Sequence, residues 1–201
     1  VSADGLPTLI DGFSSAVGNN PVDLDVADLN GDGYDDVVIA NGTSNTISVL
    51  TTNVGEGNAM TFNSEVVYSM GENATCISVI DWDGANGLDV VVGVDKASST
   101  AQDGYQVLLN VAGSGNNGSW IAIPNYFDNV EEVYYPDPPT CVDGGFADGS
   151  WGFVGGTTYG RTHRMKLSES LLELQEIGVP ISTVEAVELD GDGQIDLMTT
   201  S

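Results

Sequence analysis

Basic side chains are scarce in this chain. Its 201 residues include 4 Lys and Arg against 30 Asp and Glu, a formal net charge of −26. Nucleic acids and anionic membrane surfaces are bound through Lys and Arg, and a field of this sign repels acidic substrates. The composition therefore argues against nucleic acid, membrane surfaces and acidic substrates as partners.

Long hydrophobic runs and cysteines are also few. No stretch of 18 apolar residues occurs, so we expect no segment inserted in a membrane. The two cysteines, Cys76 and Cys141, leave two interpretations open: a disulfide, or two small buried apolar side chains. Hydrophobic residues still make up 41% of the chain, which a disordered acidic tail would lack. We expect a folded chain whose acids solvate its surface or bind a hard cation.

One motif recurs along the chain: an acidic, glycine-rich loop followed by a short apolar strand. Two copies are strong, at residues 28–36 and 188–196, and two are degenerate, at 81–89 and 143–151. Their starts at 28, 81, 143 and 188 are 53, 62 and 45 residues apart. A period near this length is typical of one β-propeller blade.

The residues around these loops predict four short strands in each unit. Before the first loop, Val22, Leu24 and Val26 alternate with Asp23 and Asp25, the pattern of a half-buried strand. The other predicted strands follow the loops, and the last of these segments is compatible with a strand or a short helix. They cover residues 37–40, 47–50, 61–68, 104–110, 120–124, 162–167 and 171–177. We therefore predict an all-β chain, a single β-propeller region over 1–201 built from four-stranded antiparallel blades.

The two ends of the chain do not complete a blade in this pattern. Residues 6–17 resemble a fourth strand, and the chain stops at Ser201 directly after a second strand. With about four repeat units, we expect an incomplete ring. Either the chain is a fragment of a larger propeller or neighbouring copies complete it.

The motif residues resemble a known family. Residues 26–40 with 47–50, and residues 184–197, are similar to FG-GAP/VCBS-type repeats of calcium-binding β-propellers. Such repeats occur in integrin α-subunit heads, fungal and bacterial lectins and some polysaccharide lyases. The resemblance implies a Ca²⁺ loop between the first and second strands of a blade, and the two middle copies depart from the pattern.

Alternate positions of the two strong loops carry oxygen ligands suited to Ca²⁺, which prefers six to eight oxygens. Tyr34 and Gln194 would contribute backbone carbonyls and the other residues side-chain oxygens. The candidate ligands are Asp28, Asn30, Asp32, Tyr34 and Asp36 in the first loop and Glu188, Asp190, Asp192, Gln194 and Asp196 in the last.

The degenerate copies predict weaker binding or none. The loop at 81–89 keeps Asp81, Asp83 and Asp89, but Ala85 stands where the central acid is expected. The copy at 143–151 has lost most ligand positions, and we expect no ion there.

Three N-x-S/T sequons, at Asn41, Asn73 and Asn117, lie beside turn residues and favour a secreted glycoprotein. Trp82, Trp120, Tyr134 and Tyr135 are candidates for stacking on a sugar, although packing between blades is the commoner role of such residues. The single histidine, His163, lies in the basic strand 161–166, and we expect it to pair with acids.

These features together predict an extracellular, calcium-stabilised β-propeller module for adhesion, ligand binding or structural assembly, without enzymatic activity. Its expected partners are a protein or glycan ligand, or neighbouring copies of itself. The alternative is a glycan-binding lectin, or the propeller part of a carbohydrate-active enzyme such as a polysaccharide lyase. A lyase acting on an acidic glycan needs basic residues in its cleft, which four bases in the whole chain disfavour.

Overall fold

The computed structural model describes residues 14–56, 60–85, 87–96, 103–110, 120–123, 138–147, 150–166, 173–176, 178–187 and 196–201. The regular elements in this part of the chain are β-strands, which confirms the all-β prediction. In chain order they are β1 (Pro21–Ala27), β2 (Asp36–Asn41), β3 (Thr46–Leu50), β4 (Thr52–Val54), β5 (Met60–Phe62), β6 (Val66–Ser69), β7 (Asn73–Ile80), β8 (Asp89–Asp95), β9 (Gly104–Asn110), β10 (Trp120–Ile123), β11 (Pro139–Ala147), β12 (Ser150–Thr157), β13 (Arg161–Lys166), β14 (Glu173–Glu176), β15 (Thr183–Val187) and β16 (Asp196–Thr200).

The strands form three four-stranded antiparallel sheets, which we call the first, second and third blades. Their strand orders are β1-β2-β3-β6, β7-β8-β9-β10 and β11-β12-β13-β14. The strands of each blade therefore lie side by side in the order in which they occur in the chain. The pair β15-β16 belongs to a last blade, and β4-β5 is a separate hairpin within the first unit. The segment 171–177, for which strand and helix were both open, contains strand β14. The strand predicted over 61–68 is divided between β5 and β6.

The first strand of each blade packs against the first strand of the next. β1 contacts β7, β7 contacts β11 and β11 contacts β15, and residues of all four strands line one central cavity of about 350 Å³. These four strands are therefore the inner strands of blades placed in succession around an axis. This arrangement is a β-propeller, as the repeat pattern predicted.

A register shift near the start of each of the first three inner strands shows which residues are equivalent. The residues directly after the shift are Asp23, Cys76 and Cys141. The residues one position further are Leu24, Ile77 and Val142. The residues two positions further are Asp25, Ser78 and Asp143.

This equivalence changes the interpretation of the copy at 143–151. Asp143 lies within an inner strand rather than at the start of a loop, because β11 continues to Ala147 and pairs there with Ser150 of β12. In the first blade, by contrast, the paired residues Ala27 and Asp36 enclose a long loop. The third blade thus closes with a tight hairpin where the sequence pattern suggested a nine-residue loop.

The described core residues form three apolar clusters, each shared by two adjacent blades. Burial at these seams has a hydrophobic driving force and fixes the order of the blades. Cys76 and Cys141 belong to two different clusters, and both are buried free thiols. The disulfide does not form, and burial raises the pKa of both thiols.

Along β1 the apolar side chains are exposed and the acidic side chains face a neighbouring strand, the reverse of an ordinary half-buried strand. Val22, Leu24 and Val26 are 45%, 58% and 48% exposed. Asp23 and Asp25 point the other way, toward β7, and each accepts a hydrogen bond from that strand. The expectation of a buried apolar face on β1 is therefore wrong in the described structure, because the neighbouring blade lies on the acidic side.

Candidate metal centre

The loop between β7 and β8 brings three carboxylates together. One carboxylate oxygen from each of Asp81, Asp83 and Asp89 lies within 4.8 Å of the others. Calcium binds oxygens at 2.3–2.6 Å, so two oxygens on one ion are at most about 5 Å apart. The oxygen donors and their spacing therefore fit a hard divalent cation such as Ca²⁺.

Backbone amides hold these side chains in place. Gly84 N–H donates to Asp81 Oδ1 at 2.8 Å, and Ala85 N–H donates to Asp83 Oδ1 at 2.8 Å. Gly84 has a φ of 70°, a left-handed conformation that glycine adopts without steric cost. The Asp-Gly sequence therefore produces a loop that curls around its own carboxylates.

Asp89 is the buried member of the group. It is fully buried at the start of β8 and accepts hydrogen bonds from Trp82 N–H at 2.8 Å and Asn110 N–H at 2.7 Å. The pKa of Asp89 is raised from 3.8 to about 6: burial is the largest cause, the charge of Asp83 also raises it, and these amides lower it. A bound cation would offset the cost of keeping this buried carboxylate ionised.

The first loop has the same framework. Asp36, equivalent to Asp89, is fully buried and accepts hydrogen bonds from Leu29 N–H at 3.2 Å and Thr52 N–H at 2.7 Å. Burial raises the pKa of Asp36, and the charges of Asp32 and Asp28 raise it as well. The aspartate that begins the second strand thus has one role in both blades. It binds an amide of its own loop and an amide at or just after the end of the third strand.

The other predicted ligands of the first loop lie around its backbone. Asp28 accepts hydrogen bonds from the amides of Gly31, Asp32 and Gly33 at 2.8, 3.1 and 2.8 Å. Asn30 Oδ1 accepts the Asp32 amide at 2.9 Å. Asp32 Oδ1 in turn accepts the amide of Tyr34, whose carbonyl is the remaining predicted ligand, at 2.9 Å.

The two described loops thus differ in how closely their acids lie together. Among the described residues, the compact group of three acids is the one with Asp83, in the loop predicted to bind more weakly. The ligands predicted in the last loop, Glu188, Asp190, Asp192 and Gln194, lie outside the described residues. For Asp196 only the backbone is described, as the first residue of β16.

Asn110 connects the two loops, although no motif in the sequence points to it. Its amide N–H binds Asp89, while its side-chain Nδ2 donates to the carbonyl of Leu29 in the first loop at 3.3 Å. Asn110 is 2% exposed at the end of β9, more than 70 residues from Leu29 in the chain. Its only sequence signal is an asparagine that ends an apolar strand, which does not indicate a partner.

Two other predicted surface roles do not fit the structure. Asn41 is fully buried, and its Nδ2 donates to Thr46 Oγ1 and Ser48 Oγ, so the folded chain has no room for a glycan there. Trp82 is 2% exposed within the cluster between the second and third blades, so it cannot stack on a sugar.

The remaining candidates are described only in part. Asn73 is half-buried at the start of β7. Asn117, Tyr134 and Tyr135 lie outside the described residues, and only the backbones of Trp120 and His163 are described. Their predicted roles stay predictions. The part of the chain that the structure describes contains no helix long and apolar enough to cross a membrane.

Comparison with known proteins agrees with the repeat assignment over part of the chain. The model of an FG-GAP-like repeat matches residues 28–92, which contain the loops at 28–36 and 81–89. No curated protein matches the chain.

Solved structures similar to the chain include two described as BBS1N in complex with ARL6DN, soaked with lead and with mercury. Their identities are 14% and 12% and their TM-scores 0.39 and 0.40, over 84% and 85% of this chain. The chain spans 60% and 58% of the length of those two chains. On the match of its own sequence, the segment 28–92, with both described aspartate loops, is similar to an FG-GAP-like repeat.

Proposed function

We propose that this chain is an extracellular, non-catalytic β-propeller module whose aspartate loops bind Ca²⁺ and whose exposed blade surface binds a partner. The observation that carries the proposal is the convergence of Asp81, Asp83 and Asp89 within 4.8 Å. Extracellular modules bind Ca²⁺ at the high concentrations found outside cells, where loops with few charges suffice.

In this proposal Ca²⁺ has a structural role. Asp81, Asp83 and Asp89 would hold it in the second blade, and Asp28 and Asp32 would contribute in the first. The ion supplies positive charge that cancels repulsion between carboxylates. Because the unfolded chain does not hold these acids together, binding would stabilise the folded state.

A thermal-melt series tests the metal proposal. The full chain is treated with EDTA and titrated with Ca²⁺. At a calcium concentration about 100 times Kd we expect about 2.7 kcal/mol of stabilisation, or roughly 5–10 °C in Tm for a chain of this size. Asp83→Asn and Asp32→Asn should each remove part of this gain. The control Glu56→Gln removes the same charge at an exposed site outside both loops and should keep it.

Two results would contradict calcium binding at these loops. One is a wild-type Tm that does not respond to Ca²⁺. The other is an equal response in the wild type and both loop variants, which would attribute the effect to general screening of the −26 charge. A parallel titration with NaCl at matched ionic strength separates screening from binding.

The exposed face of β1 is the binding surface that we propose for a second copy of this chain. Leu24 is 58% exposed, whereas its equivalents Ile77 and Val142 are 3% and 8% exposed. Each equivalent is covered by the blade that precedes it. Among the described strands, the row of inner strands begins at β1 with this face exposed, and the interface that would continue the row there is with another blade.

Sedimentation velocity over a wide concentration range, at physiological salt, tests this partner. We expect concentration-dependent association that Leu24→Glu abolishes. Val67→Glu is the matched control, because Val67 is 54% exposed on β6, the outermost strand of the first blade. A chain that stays monomeric at every concentration, or associates equally in both variants, would rule out a second copy at β1.

A further inference from the structure

Three aspartates on the inner strands make the same unusual pair of hydrogen bonds. Asp25 Oδ1 accepts the amide of the next residue, Val26, at 2.7 Å. Its Oδ2 accepts the amide of Val79, on the inner strand of the neighbouring blade, also at 2.7 Å. One carboxylate therefore binds one backbone amide from each of two blades.

The same geometry occurs twice more. Asp23 joins the amides of Leu24 and Ile77, both at 3.0 Å, across the seam between the first and second blades. Asp143 joins the amides of Gly144 and Ala186, at 2.9 and 2.7 Å, across the seam between the third and last blades. The three pairs of amides belong to strands far apart in the chain.

These amides need a partner because each inner strand lies at the edge of its sheet. Among the described strands, β1 pairs only with β2 and β7 pairs only with β8, so every second N–H on each strand points away from its ladder. An edge N–H that finds no partner costs stability when it is buried, and one open to solvent invites an additional strand. The aspartates satisfy these groups from both sides of a seam.

The positions are specific rather than a general effect of acidic composition. Asp25 and Asp143 are equivalent by register, and the residue at this position in the second blade is Ser78. The seam after the second blade instead buries Ile80 and Tyr105 in an apolar cluster with Val142. Among the described residues, the aspartate bridges thus accompany the apolar clusters of the first and last seams, and the middle seam has its apolar cluster without such a bridge.

The electrostatics agree with a structural role. Burial raises the pKa of Asp23, and the amides of Ile77 and Leu24 lower it. Burial likewise raises the pKa of Asp143, while the amides of Ala186 and Gly144 lower it. In both cases the two amides counteract the cost of bringing a carboxylate into the seam.

We propose that Asp23, Asp25 and Asp143 are inter-blade brackets. Each fixes the register of one inner strand against the next by binding an amide on both, and each closes those edge amides to insertion of another strand. Two seams of the propeller therefore combine an apolar cluster with aspartate brackets.

Amide hydrogen exchange, read residue by residue by NMR on the full chain, tests the brackets. In the wild type the amides of Val79 and Ile77 should be protected although they have no partner in the β-ladder. Asp25→Asn keeps the size of the side chain but offers one acceptor oxygen, and its Nδ2 hydrogens oppose the second amide. We expect protection at Val26 or Val79 to fall by about tenfold or more, since a bond to a charged acceptor is worth that much.

The neighbouring bracket serves as an internal reference. Asp25→Asn should leave Leu24 and Ile77 nearly as protected as before, and Asp23→Asn should show the reverse pattern. The control Glu56→Gln should leave all four amides unchanged. If either variant fails to fold, Asp143→Asn, read at Gly144 and Ala186, is an independent repetition at another seam.

Two outcomes would overturn the proposal. Val79 and Ile77 amides that exchange in the wild type at the rate of an unstructured chain would show that the brackets are not formed. A uniform loss of protection through β1, β2 and β7 in Asp25→Asn would show a global loss of stability rather than an open bracket.

Discussion

Replacing Gly144 by alanine tests the packing between the second and third blades. Gly144 lies on inner strand β11, where an added Cβ would stand 1.7 Å from Cγ2 of Ile80 and 3.0 Å from its Cβ. Ile80 is 1% exposed in the cluster between these blades. The methyl group therefore has no free space, and either Ile80 or the whole strand must move.

The size of the effect follows from these distances. Ordinary contacts to a Cβ begin near 3.4 Å, so Cγ2 must retreat by almost 2 Å. The β-branched Ile80 is stiff at χ1, which makes a simple rotation costly. Overpacking of this kind typically costs about 1–3 kcal/mol, or roughly 2–10 °C in Tm for a chain of this length.

Thermal or urea unfolding of four variants provides the assay. Gly104→Ala is the control, because a Cβ there meets nothing within 4 Å, and we expect its stability to be equal to or slightly above that of the wild type. Ile80→Leu moves the branch one carbon outward and removes Cγ2. The double variant Gly144→Ala/Ile80→Leu should therefore be more stable than the sum of the two single changes predicts, by about 1 kcal/mol or more.

Equal stability of Gly144→Ala and Gly104→Ala would refute the predicted clash, since the seam would then have space for a methyl group beside Ile80. Strict additivity in the double variant would also refute it. In that case the cost of the alanine would come from the backbone of β11 and not from the contact with Ile80.

Three further predictions concern buried groups. The pKa of Asp89 is raised from 3.8 to about 6, so its stabilising contribution is present at low pH and is lost as the pH rises through 6. In thermal melts, the metal-free protein should therefore lose about 1 kcal/mol of stability between pH 5 and 7, and the Asp89→Asn variant should not. Cys76 and Cys141 should react with a thiol reagent slowly in the native state and completely in denaturant; fast native labelling would contradict their burial. Chain secreted from eukaryotic cells should carry no glycan at Asn41 by peptide mass spectrometry, and occupancy there would contradict the fold.

The repeat could be predicted from the sequence because its signals are local. An Asp-Gly loop such as 28–36 satisfies its own backbone with its own side chains, so residues a few positions apart determine its shape. The strands that follow such loops are short continuous apolar runs, which is also a local property. The strand order within each blade follows from short connections between neighbours in the chain.

The copy at 143–151 shows where local signals mislead. Its acids and glycines match the motif, yet Asp143 belongs to the inner strand and Gly144 leaves space for Ile80 of another blade. The contacts of these residues lie across a seam between blades and not within a loop. The convergence of Asp83 with Asp89 likewise could not be predicted from composition, because it depends on the backbone geometry of the loop.

The sequence by itself determined the class of the protein: many short strands, loops with calcium-type ligands and a strongly acidic chain. Tertiary structure alone decided which face of each inner strand is buried. Asp23 and Asp25 face a neighbouring blade while Leu24 is exposed, the opposite of what their polarity suggests. The physical reason is that an edge strand presents amides without a partner in its ladder. A carboxylate in the seam accepts hydrogen bonds from two of them, which an apolar side chain cannot do.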